Sequence, residues 1–177
     1  MLPNPLHPAI IHFPLVLMLL LPIVIAGALW AIRRGANARR AWTIPLLGVA
    51  ALSASTWLAV ETGQQQSERV ERVVSEQPVE THEEAAELFF TLSGALLVVT
   101  AAGMMRGSLG RSARVLATAG AVGIAIVGVR VGATGGELVY KHGAADAYTQ
   151  STSVTRNGAT TRPGTRVEQA GGEVRER

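Results

Sequence analysis

The sequence predicts an all-α protein: an antiparallel four-helix transmembrane bundle with a short extracytoplasmic helix and a disordered C-terminal tail. Three observations predict it. Only 16% of the 177 residues are charged, against about a quarter in ordinary soluble domains. The apolar residues are gathered into four runs, each long enough to cross a bilayer. The segments between the runs alternate in sign: basic, then acidic, then basic.

The first run, Ala9 to Ile32, is 24 residues without Lys, Arg, Asp or Glu. As a helix it spans about 36 Å, more than the roughly 30 Å of a hydrocarbon core. Pro14 and Pro22 each remove a backbone N–H, which predicts a kink. Ala26-Gly27-Ala28 has the look of a signal-peptidase site, but no basic residue precedes the run and arginines follow it. It therefore reads as a true span. Ala41 to Val60 is 20 residues without a charge, and Leu88 to Met105 is 18. Ala113 to Gly136 is the fourth run, with Arg114 at one end and Arg130 inside. The expected spans are about 9–32, 41–61, 85–105 and 113–136, all within a membrane domain of residues 1–149. Residues 150–177 are Thr, Gly, Arg and Glu with few large apolar side chains. That composition cannot bury a core and reads as a disordered tail.

Charge bias sets the expected orientation. Arg33, Arg34, Arg39 and Arg40 lie between spans one and two, and Arg106, Arg111 and Arg114 between three and four, with no acid in either segment. Between spans two and three lie Glu61, Glu68, Glu71, Glu76, Glu80, Glu83, Glu84 and Glu87 against Arg69 and Arg72. Basic loops stay in the cytoplasm. Both termini and the 62–84 loop are therefore expected outside a cytoplasmic membrane. The sequence pI near 10.2 is a topology signal of this kind, since the net charge is only +3, and no nucleic-acid partner is expected. The partner it implies is the lipid bilayer. Within the outer loop, Glu68 and Arg72 at i,i+4 and Val70, Val73 and Val74 on one face predict a short interfacial helix. Thr81-x-x-Glu84 reads as a capping box opening the third span, with His82 in its first turn. Trp30, Trp42 and Trp57 lie near span ends, as an interfacial belt does. Gly128-x-x-x-Gly132 permits close helix packing.

The absence of cysteine removes disulfides, thiolate metal sites, iron–sulfur clusters and c-type haem attachment. The charge-free runs exclude a small soluble enzyme. No nucleophile–base pair, phosphate loop or dinucleotide fingerprint occurs. What remains are the four histidines, His7, His12, His82 and His142, all at the outer ends of spans in the expected topology. His12 lies about 7.5 Å deeper than His7 on a continuous helix, and an ionisable group at that depth faces a partner inside a bundle. Residues at i and i+5, however, point about 140° apart. Imidazoles with carboxylate backing suit b-type haem, zinc, copper or non-haem iron. His12 and His82 are the expected metal ligands, supported by His7 and His142. Arg130 is expected either to pair with Glu61 or Glu87 or to hold an anionic group such as a haem propionate.

Leu6-His7-Pro8-Ala9-Ile10-Ile11-His12-Phe13-Pro14, Glu61-Thr62-Gly63, Glu80-Thr81-His82-Glu83-Glu84 and Gly135-Gly136-Glu137-Leu138-Val139-Tyr140-Lys141-His142-Gly143 together resemble the bacterial membrane-protein family known as domain of unknown function 2231. The resemblance covers about residues 5 to 145 and departs from the family pattern at Ala144-Ala145-Asp146-Ala147. It implies four spans and a histidine set at His7, His12, His82 and His142; no established activity comes with it. The sequence thus leaves two main functional readings. One is a haem- or metal-binding redox protein with other membrane or redox proteins as partners. The other is a cofactor-free structural or assembly subunit of a membrane complex. A small-solute or proton pathway through Arg130 is weaker, because four spans without an internal repeat leave little room for alternating access.

Overall fold

The computed structural model describes residues 7–148; the expected polar tail lies outside them. The described residues form five helices: α1 (His7–Ile10), α2 (His12–Arg33), α3 (Ala38–Val70), α4 (Glu76–Ala102) and α5 (Gly107–Tyr140). α1 and α2 are one rod with a hitch. Ile11 N–H still bonds the His7 carbonyl at 3.1 Å, and Leu15 N–H the Ile11 carbonyl at 3.3 Å. Pro14 has no N–H to give the Ile10 carbonyl, so the interruption falls at Ile11. The helix continues unbroken through Pro22. Counting that rod once, four helices are long and apolar enough to cross a membrane.

Short connections make successive helices antiparallel. α2 ends in a Schellman motif: Gly35 has φ of 94°, Ala36 N–H bonds the Ala31 carbonyl, and Gly35 N–H bonds the Ile32 carbonyl, both at 3.0 Å. Glycine adopts that backbone without the Cβ clash other residues would meet. Asn37 then caps α3, its side-chain oxygen accepting from Arg39 N–H at 3.1 Å and Arg40 N–H at 3.2 Å. α2 packs on α3, α3 on α4, α4 on α5, and α5 back on α2. The result is a closed ring of four.

Core positions recur every three or four residues on each helix. Met18, Leu21, Ile25 and Ala28 come from α2, and Trp42, Pro45, Val49, Leu52, Thr56 and Ala59 from α3. Phe89, Ser93, Leu96 and Thr100 come from α4, and Ala113, Ala117, Ala121, Ile124 and Gly128 from α5. This spacing of about 3.5 residues is the seam of a left-handed bundle. The small residues of α5 let its backbone approach its neighbours. A Cβ at Gly128 would run into the Met18 sulfur, which gives the Gly128-x-x-x-Gly132 pattern a packing role. Phe13, Leu19, Ile23, Ile44, Leu47, Val98, Val115 and Ile126 are exposed apolar side chains on the outside of the ring, where lipid would cover them.

Several sequence expectations change here. The 62–84 segment is not a loop. α3 runs to Val70, α4 starts at Glu76, and only five residues join them. Ser67–Val70 is the last turn of α3 and not a separate interfacial helix. The three valines still gather in one apolar cluster: Val74 is buried against Val79, Leu138 and Ala144 with Val70 and Val73 alongside. No capping box opens at Thr81. Ser75 is the N-cap of α4, Thr81 Oγ1 donates to the Gln77 carbonyl at 2.9 Å, and His82 therefore lies in the second turn. Pro78 sits in the first turn, where a missing N–H has no intrahelical partner to lose. Trp42 is fully buried while Trp30 and Trp57 are exposed. The Trp42 indole N–H reaches the Thr100 carbonyl at 2.9 Å, a bond that makes its burial tolerable.

Candidate functional site: two histidines in a polar layer

At 1.5 Å per residue, α3 is about 50 Å long and α5 about 51 Å, roughly 20 Å more than a hydrocarbon core needs. The excess lies at the end bearing the glutamates, where a small second apolar cluster of Val74, Val79, Leu138 and Ala144 closes the bundle. Between that cluster and the main core lies a polar layer. It holds His7 from α1, Thr62, Gly63 and Gln66 from α3, His82 from α4, and Thr134 and Gly135 from α5.

Each imidazole is fixed by a neighbouring helix. His7 Nδ1 lies 2.9 Å from the Ala59 carbonyl oxygen. A carbonyl only accepts, so Nδ1 carries the proton and donates it. His82 Nδ1 lies 3.0 Å from Thr134 Oγ1, and the Thr134 hydroxyl gives its own proton to the Val131 carbonyl, also at 3.0 Å. His82 Nδ1 is therefore the donor of that pair as well. In the neutral ring each Nε2 then bears a free lone pair, the form in which imidazole ligates metals. Neither Nε2 has a hydrogen-bond partner among the described residues. Burial first, and the His7 imidazole second, pull the His82 pKa below its ordinary value.

Two glycines make room for the rings. A Cβ at Gly63 would stand 3.1 Å from His7 Cε1, and one at Gly135 would stand 3.0 Å from His82 Cε1. Both distances are tighter than ordinary contact between carbon atoms. The glycines of the Glu61-Thr62-Gly63 and Gly135-Gly136 motifs thus seat the imidazoles against backbone.

The remaining sequence candidates lie elsewhere. His12, His142 and Arg130 are all exposed. Lys141 pairs with Glu137 at 2.7 Å, and no ion pair joins Arg130 to Glu61 or Glu87 among the described residues. Its position, about 35 Å along α5, puts it at the edge of the apolar slab, where a long side chain reaches water without a partner. Among the described residues no group of three or more His, Cys, Asp or Glu could hold a metal ion.

The family model described as "Predicted membrane protein (DUF2231)" matches residues 3–147. The chain belongs to that family. No curated protein and no solved structure matches it. The matched region of this DUF2231 chain includes His7, His82, Gly63 and Gly135.

At the opposite end, Arg114 is more than the loop charge that its place in the sequence suggests. Arg114 is buried within α5, 8% exposed. Its Nε donates to the Gly103 carbonyl at 2.8 Å and an η nitrogen to the Met105 carbonyl at 3.4 Å. Its guanidinium lies 5.9 Å from the Trp42 ring centroid. Arg39 Nε adds a bond to the Met104 carbonyl at 3.2 Å. Cations thus take the orphan carbonyls at the C-terminus of α4.

Proposed function

We propose that this DUF2231 protein is a multi-pass protein of the cytoplasmic membrane with both termini and the acidic end extracytoplasmic. In this reading His7 and His82 hold a haem iron or a transition-metal ion for electron transfer. The observation that carries the reading is the pair of uncommitted Nε2 atoms, brought from two helices into one layer with both Nδ1 protons already spent. His7 and His82 would each offer an imidazole nitrogen to such a centre, their Nδ1 atoms being held by Ala59 and Thr134. Haem iron or copper bound there would supply one-electron exchange. The chain itself fixes the ring orientations through Ala59 and Thr134, and it shields the layer from the outside with the Val74 cluster. His12, His142 and Arg130 lie on the surface around this site, and Arg130 is available to an anionic group there.

The test is an optical spectrum of the detergent-purified protein, oxidised and reduced, with elemental analysis. A redox-dependent Soret band, or one transition-metal ion per chain, is expected. Absence of both would end the reading.

One observation favours the second reading, a cofactor-free structural or assembly subunit. Both histidine bonds tie one helix to another, α1 to α3 and α4 to α5, as purely architectural side chains would. It predicts partners that co-purify with the wild-type chain and a spectrum without a chromophore.

A further inference from the structure

We infer that Gln66 Oε1 is the third donor atom of the His7–His82 site, and that the site takes a bare first-row transition-metal ion; the inference rests on the reading just proposed. Gln66 Oε1 is buried and has no hydrogen-bond partner. Its place in the fold is set from two sides. Thr62 and Gly63, four and three residues earlier on the same face of α3, touch His7. Ser67, the next residue, lies beside the Glu83 carboxylate, and Glu83 follows His82 in α4. Gln66 is therefore about one turn beyond the His7 contacts, near the level of His82, with its Oε1 turned into the bundle.

The proton count of the layer makes this orphan informative. His7 Nδ1–H goes to the Ala59 carbonyl, and Thr62 Oγ1–H to the Leu58 carbonyl at 2.8 Å. His82 Nδ1–H goes to Thr134, and Thr134 Oγ1–H to Val131. All four of these protons are spent on oxygen. What the layer still presents is three lone-pair atoms: His7 Nε2, His82 Nε2 and Gln66 Oε1. Of the three, Gln66 Oε1 is the one fully enclosed without a partner; a buried acceptor without a donor is costly, and a cation held by all three atoms would satisfy it. Two imidazole nitrogens and one amide oxygen form a borderline ligand set suited to redox-active Cu²⁺, with one further position open for water. Haem iron has no coordination position left for a third protein ligand.

The experiment titrates Cu²⁺ into the chelator-stripped full chain in detergent and into the Gln66→Leu, Gln66→Glu and His82→Ala variants. Copper stoichiometry and electron paramagnetic resonance are the readouts. Wild type is expected to bind one copper with nitrogen couplings from two imidazoles. Q66L should bind about ten-fold or more weakly, Q66E at least as tightly as wild type, and H82A not at wild-type stoichiometry. If Q66L fails to fold, Q66E decides: a carboxylate at the same place that leaves copper affinity below wild type contradicts the assignment. Equal binding by Q66L and wild type overturns the Gln66 assignment and leaves the proposed function standing. A wild-type Soret band without titratable copper does the same. A wild type that binds neither copper nor haem sinks both.

Discussion

Arg114 and His12 show what a single side chain can hide in a membrane sequence. Arg114 sits among loop arginines in the charge pattern, yet it is buried against Trp42 with its nitrogens on the Gly103 and Met105 carbonyls. Arg114→Ala should leave those carbonyls unpaired and lower stability by about 1–3 kcal/mol. Arg114→Lys should recover only part, because an ammonium cannot reproduce the fork. Denaturant or thermal unfolding in detergent measures both, and an unchanged Arg114→Ala variant would contradict the role. The histidines divide by helical geometry. Depth counting favoured His12, but five residues turn a helix through about 140°, so one rod cannot aim both His7 and His12 inward. His7, held to Ala59, faces the bundle, and His12 is exposed. Gln66 was invisible inside a run of three glutamines, although it continues the seam of Leu52, Thr56, Ala59 and Gly63. Extending that spacing past the last apolar residue would have found it.

At the scale of the helices, the four spans were legible because apolar runs of 18 to 24 residues have few other uses. Their ends were not. α3 continues about ten residues beyond its apolar run because a helix needs no apolar face once it leaves lipid, only neighbours and satisfied backbone. The acidic segment reads as loop by hydropathy but carries Glu, Gln, Arg and Ser in good helical order. The seam too was hidden, since core and lipid-facing positions are equally apolar and a moment between them vanishes. Its test is Gly128. Gly128→Ala places a methyl group against Met18 and Phe89 and should destabilise the bundle by about 1–3 kcal/mol. Combining it with Met18→Ala should restore part of the loss. A Gly128→Ala variant as stable as wild type would mean that α2 and α5 do not approach so closely. Gly123 has nothing near its Cβ position, so Gly123→Ala serves as the control.

For the whole molecule, a main apolar core is flanked by a cation-capped end and an acidic end with its own small cluster. The alternation of loop charge made that polarity readable, while the two-histidine layer depended on contacts between residues more than fifty positions apart. Orientation is tested with reporter fusions. A fusion at Gly35 should remain cytoplasmic and one at Gln65 should be exported; the reverse pattern would invert the site to the cytoplasmic face.

The central claim is that His7 and His82 share one centre. The direct measurement is the stoichiometry of bound haem or transition metal in the wild-type chain and in His7→Ala and His82→Ala chains purified side by side. The account predicts one centre per wild-type chain and its loss in each variant, with His12→Ala retaining it. Wild-type occupancy in both the His7→Ala and His82→Ala variants would contradict it.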